Sequence, residues 1–102
     1  MLNSLRTSGA TVPLKLRSRT VSMAFGTISF FMADEDRTVR VDIHRDVLAA
    51  IGPPPKTKAD YVERLWQRRR QFEQIAALKY EDGEYREEVS VLVVNITQSD
   101  IA

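Results

Sequence analysis

Apolar and polar residues alternate along two stretches of the first half of the chain. Ile28, Phe30 and Met32 share one side of a pleated segment, and Val39, Val41 and Ile43 resume the pattern against Thr38, Arg40 and Asp42. A period of two is what a strand with one buried face requires. Asp34, Glu35 and Asp36 lie between the two runs and supply turn chemistry, so the pair predicts a β-hairpin. At His44 the period lengthens to that of a helix, with Val47, Leu48 and Ile51 on one stripe and Gly52 ending it. Pro53, Pro54 and Pro55 cannot continue a helix, and they predict a stiff elbow inside one domain.

The longest periodic stretch runs over about residues 58–80. On a helical wheel Val62, Leu65, Trp66, Phe72, Ile75, Ala76 and Tyr80 fall on one arc, opposite Glu63, Arg64, Gln67, Gln71 and Gln74. This predicts one amphipathic helix packed on the sheet, with Asp60 in its first turn, four residues before Arg64, and with Gly83 as a left-handed stop. A last strand is expected over about 88–97. Val89, Val91 and Val93 would line one face of it and Leu92, Val94 and Ile96 the other, so both faces need cover. That cover has to come from a loop, the N-terminal segment or another subunit.

The expected fold is therefore α+β and two-layered: a small antiparallel sheet, made of the hairpin and the C-terminal strand, against a short and a long helix in the order ββααβ. Leu14 and Leu16 alternate with Lys15 and Arg17 and could add a short edge strand. Met1 to Val12 shows neither period. Residues 1–22 are accordingly read as a flexible basic tail, or as a leader ahead of a true start at Met23, and residues 23–102 as a single domain.

Composition narrows the class. A chain of 102 residues with 43% hydrophobic and 28% charged residues can bury one core and is far from the composition of disordered chains. It has no cysteine, which excludes disulfides, thiolate metal sites and a cysteine nucleophile, and points to the cytoplasm. No apolar run approaches the roughly 20 residues that span a bilayer, so no membrane partner is expected. The net charge of +1 hides an asymmetry: residues 1–27 carry Arg6, Lys15, Arg17 and Arg19 and no acid, and the remainder is mildly acidic. An acidic body argues against a phosphate-binding surface.

Three stretches bear reading together. They are Val41-Asp42-Ile43 running into Asp46-Val47-Leu48; Leu65, Arg69, Phe72, Ile75 and Ala76 with Lys79-Tyr80 behind them; and the closing Val94-Asn95-Ile96-Thr97-Gln98-Ser99-Asp100-Ile101. In this order, over roughly residues 25–102, they resemble the small bacterial family catalogued as domain of unknown function 1488. Its pattern has an Ile-Ser-x-Glu-Ala-Leu element, a helix of the form Phe-x3-Arg-x2-Ile-x3-Ala-x2-Lys-Tyr, and a strand ending near Asp-Phe. Leu65 stands for an aromatic, Phe72 for an aliphatic and His44 for a small hydroxyl cap, and the chain ends in Ile101-Ala102 rather than an aromatic. The resemblance implies a bacterial origin and a small α+β fold. It implies no function.

Candidate chemistry is sparse. His44 has Asp42 and Asp46 two residues to either side, an acid–base pattern that a helix-capping role for Asp46 explains as well. It falls short of a metal site because no second nitrogen or sulfur ligand exists. Asp34, Glu35 and Asp36 read as solvated turn residues. Arg64, Arg68, Arg69 and Arg70 form the densest basic cluster, yet only Arg64 and Arg68 share a face. Arg69 falls inside the apolar arc, where a guanidinium must find a partner or reach water; it is a candidate for a structural or ligand-pocket role, with Trp66 beside it. No catalytic, cofactor-binding or metal-binding residue is assigned. The reading is a non-catalytic protein-interaction or accessory module that self-associates as a homodimer, with Trp66, Val91 and Leu92 at the interface. The alternative is a nucleic-acid-associated regulator using Arg64, Arg68, Arg70 and the basic tail, and an enzyme stands third.

Overall fold

The computed structural model describes residues 14–24 and 26–101. It is mixed α+β, as the periodicities predict. The chain runs β1 (Lys15–Ala24), β2 (Thr27–Asp34), β3 (Arg37–His44), α1 (Arg45–Ala50), α2 (Lys58–Gln67), α3 (Arg69–Glu81), β4 (Arg86–Glu88), β5 (Val91–Ile96) and α4 (Gln98–Ile101). Among the described residues the strands form one sheet of five in the order β1-β2-β3-β5-β4.

The hairpin stands where it is expected, with Ile28 opposite Ile43, Phe30 opposite Val41 and Met32 opposite Val39. All six point into the core. The chain then leaves the sheet for α1 to α3 and returns at the far side of β3, so that β5 pairs with β3 in parallel. The sheet is therefore not the small antiparallel one expected. A strand that follows a long helical crossover can enter parallel to its neighbour, whereas a tight hairpin cannot produce that pairing.

The ββααβ order needs three further corrections. Residues 15–22, assigned to the tail or leader, belong to β1, which pairs antiparallel with β2 from Lys15 opposite Ala33 to Ala24 opposite Thr27. Two register shifts interrupt this ladder, and a bulge destroys the period of two on which a strand is recognised. The expectation for Met1 to Val12 lies outside the described residues. The long helix is two helices, since Arg68 (φ −109°, ψ 18°) both ends α2 and begins α3. The apolar spacing survives the break, with Leu65, Phe72, Ala76 and Tyr80 all buried, and so the pattern gave no sign of it. Finally the last strand is a short hairpin, β4–β5, that turns at Val89 and Ser90, and it is followed by the helix α4, which the expected order lacks.

Local chemistry accounts for the helix ends. His44 caps α1, its Nδ1 accepting from the Asp46 backbone N–H at 3.3 Å; the cap is His44 itself, and Asp46 sits in the first turn. Thr57 and Asp60 form a reciprocal capping box on α2, and the N–H groups of Lys56 and Thr57 hold the Asp60 carboxyl below its usual pKa. Gly83 (φ 79°) closes α3. The Glu84 N–H reaches the Lys79 carbonyl at 2.8 Å and the Gly83 N–H the Tyr80 carbonyl at 3.1 Å, the paired bonds of a Schellman stop.

The helices share a single apolar core with one face of the sheet: Val47, Leu48, Leu65, Phe72, Ala76, Ala77 and Tyr80 meet Ile28, Phe30, Met32, Val39, Val41, Ile43, Leu92, Val94 and Ile96. Leu14 joins this cluster from the approach to β1. The opposite face of the sheet has no part in it. No helix among the described residues is long and apolar enough to cross a membrane.

Candidate functional site

Two places on this scaffold hold side chains that the core does not explain. One is the sheet face away from the helices. There Ser29 stands opposite Asp42 and Asp42 opposite Asn95. Ser29 Oγ donates to Asp42 Oδ1 at 2.7 Å, and Arg40 donates to the same carboxylate through Nε at 2.8 Å and Nη2 at 3.1 Å. Asp42 is only 8% exposed, and three donors are what allow a carboxylate to stay there. The bond to Asp42 in turn raises the Arg40 pKa.

Strand order gives this network its reach. β5 lies between β3 and β4, yet Arg40 of β3 also donates to Glu88 of β4 at 3.3 Å, and Arg86 of β4 lies 4.0 Å from Asp42 of β3. Both arginines therefore cross over β5. They cross beside Val93, which is the register partner of each. Val93 is fully buried although it stands outside the helix-side core, and both arginines span β5 at its level. The second face of β5 thus finds its cover within the chain.

The other place is a groove of about 670 Å³ between α3 and the start of β1. Its floor is Leu14, Met32, Ala77 and Leu78, and Arg69 and Arg70 stand on its rim. Leu78 is 63% exposed, an apolar residue offered to solvent on a helix whose other apolar residues are packed. Arg69 Nε lies 3.4 Å from Glu73 Oε2 one turn on, and its guanidinium sits 5.9 Å from the centre of the Trp66 ring. The ion-pair partner of Arg69 is thus Glu73. That oxygen is itself shielded and accepts no hydrogen bond among the described residues.

Other sequence candidates are placed differently. Trp66 is partly buried against the core. Leu92 is a core residue, 5% exposed, which removes it from any interface, and Val91 beside it is half-buried. Arg64 Nη1 donates to the Leu48 carbonyl at 2.8 Å and Arg68 Nη2 to that of Ile51 at 3.4 Å. Both serve the C-terminal end of α1, where carbonyls lack helical partners, and a Cβ at Gly52 would come within 3.0 Å of the Arg64 guanidinium. Arg70 is exposed on another side. Asp42 and His44 do not form an acid–base pair: Asp42 is held by Ser29 and Arg40, and His44 is turned to Asp46. Among the described residues no group of three or more His, Cys, Asp or Glu could hold a metal.

Two residues of the motif around Lys79-Tyr80 are clamps. Tyr80 Oη donates to Asp34 at 2.6 Å, tying the end of α3 to the hairpin turn, and Lys79 Nζ meets Asp100 at 2.8 Å. Burial and the Asp34 bond push the Tyr80 phenol up to about 12. Burial opposes ionisation of Asp100, but the bonds from Lys79 and the Thr97 N–H outweigh it and hold that carboxyl below its usual range.

Sequence reasoning missed Ser29, Arg40, Arg86 and Glu88 as a group, and Leu78 and Leu14 as groove residues. Arg40 and Asp42 occupy outward positions of an alternating strand, a visible signal, but their partners Arg86 and Glu88 lie beyond a parallel pairing that no local pattern announces. No family model, curated protein or solved structure matches the chain.

Proposed function

We propose that this chain is a non-catalytic protein-interaction module that self-associates, that it works in the cytoplasm, and that it belongs with the family called domain of unknown function 1488. The observation that carries the interaction reading is the groove between α3 and β1, which leaves Leu78 exposed beside an apolar floor, at an edge of the sheet that no described strand covers. An apolar patch bordered by charge is the usual mark of a protein contact. The nucleic-acid reading loses support, because Arg64 and Arg68 are engaged with the end of α1. The test is solution mass by light scattering from low to high micromolar protein. Mass above the monomer supports the reading, and a strictly monomeric chain at the highest concentration removes it. Salt-dependent retention on a nucleic-acid column would restore the alternative.

A further inference from the structure

Among the described residues the sheet has two unlike edges, β1 and β4. Beside β1 lies the groove, with an apolar floor and with Arg69 and Arg70 on its rim against the single acid Glu73, while exposed Lys15 begins the strand at that edge. Beside β4 the chain is acidic: residues 81–88 carry Glu81, Asp82, Glu84, Glu87 and Glu88 against Arg86. The β4–β5 turn then presents Val89, 93% exposed, on a backbone held out by Ser90 at φ 69°. One edge therefore has an apolar hollow rimmed by cations, and the other an apolar tip flanked by anions.

Direction and register agree with this complementarity. β1 runs opposite to β2, β2 opposite to β3, β3 along with β5, and β5 opposite to β4. A second copy set alongside in the plane of the sheet thus brings its β4 antiparallel to β1. Lys15 is level with Ala33 and Ala33 with Thr38. On the far side Glu88 is level with Val91, one residue before the Leu92 that pairs with Val39. Lys15 and Glu88 occupy the same level on opposite edges, and a side-by-side copy sets one against the other.

We propose that copies of this chain associate head to tail, the Val89 tip of one entering the groove between α3 and β1 of the next, with Glu87 and Glu88 beside Lys15, Arg69 and Arg70. This rests on the self-association reading and replaces the closed homodimer with an open contact. Tip and hollow lie on different edges, so every added copy presents a fresh tip and a fresh hollow, and assembly continues past two. A two-fold contact through β4 would instead set the acidic segment against itself. With only three residues in β4 the strand pairing is short, so Val89 burial and charge supply most of the attraction, and salt weakens it.

The test is sedimentation velocity over a wide concentration range on the wild type, Val89→Ser and Leu78→Glu, alone and in equal mixture. Both positions are exposed, and melting temperature checks that both variants fold. The wild type should grow past the dimer and shrink in high salt. Each variant alone should need about tenfold more protein to associate, the expected effect of losing one buried aliphatic contact. The mixture should recover association but stop at a one-to-one pair, because Val89→Ser keeps its groove and Leu78→Glu keeps its tip. A wild type that stops at a dimer, variants that associate as it does, or a mixture no more associated than its components overturns the head-to-tail contact and leaves self-association standing. A monomer under all conditions removes both.

Discussion

The two faces of the sheet bury apolar residues by different means. Under α1 to α3, Leu92, Val94 and Ile96 of β5 meet apolar side chains from the helices, and the cluster is continuous through Phe72 and Leu65. On the other face of the same strand Val93 is as deeply buried, and the side chains that span the strand at its level are two arginines, stretched between β3 and β4 and anchored on Asp42 and Glu88. An apolar residue on both faces of a strand therefore does not demand a second layer or a second subunit. Long charged side chains can bridge a strand and supply the cover, provided acids on both flanks hold their ends. The apolar excess that first suggested an interface at β5 is absorbed there, and the uncovered apolar surface lies at Leu78 and Val89 instead.

This contrast can be broken most sharply at adjacent positions of β5. Leu92→Asp places a charge in the helix-side core and should cost about 4 kcal/mol or more, whereas Val91→Asp, on the opposite and half-buried side, should cost no more than about 1 kcal/mol. Urea denaturation measures both, and equal losses would mean that the faces are not distinct. On the bridged face, Asp42→Ala removes the acceptor of Ser29 and Arg40 together and should cost about 2–3 kcal/mol. Substitution by asparagine, which keeps an acceptor, should be milder.

Val93→Ala tests the bridge itself. It should cost about 2 kcal/mol, as for an aliphatic residue in a true core. If the stem of Arg40 is what covers Val93, Arg40→Met should destabilise less than Arg40→Ala, because methionine retains most of the stem. Identical losses would assign the effect to charge alone. The smallest effect concerns the clamp between layers. Tyr80 is raised to about 12 by burial and by Asp34, so its contribution is complete below the ordinary phenol value of roughly 10 and is lost as pH climbs through 12. Alkaline titration of stability should show this loss in the wild type and not in Tyr80→Phe.

What was legible in the chain follows from how locally each feature is encoded. The hairpin of Ile28 to Ile43, the short helix after His44, the Gly83 stop and the apolar arc from Leu65 to Tyr80 depend on periods and caps a few residues long, and all are found. The break at Arg68 was invisible because it leaves the spacing of Leu65 and Phe72 in phase. Only the start of β1 showed, as the alternation of Leu14 and Leu16 with Lys15 and Arg17, and its register shifts hid the rest; Val89 was placed in a strand because an apolar residue in a turn has the same letter as one in a sheet. Arg69 was singled out for its place inside the apolar arc, and Glu73, one turn away, lies 3.4 Å from its Nε.

The sequence by itself determined the α+β class, the hydrophobic face of each main element, the start of the helix after His44 and the Gly83 stop, since side-chain period and capping chemistry act within a turn or two of backbone. Only the tertiary structure decided that β5 enters parallel to β3, that Arg40 and Arg86 bridge it over Val93, and that Lys15 and Glu88 stand level on opposite edges. These relations join residues as much as 73 positions apart, from Lys15 to Glu88. Their pairing is set by how the crossover packs the helices on one face of the sheet, a global choice that no local run of residues carries.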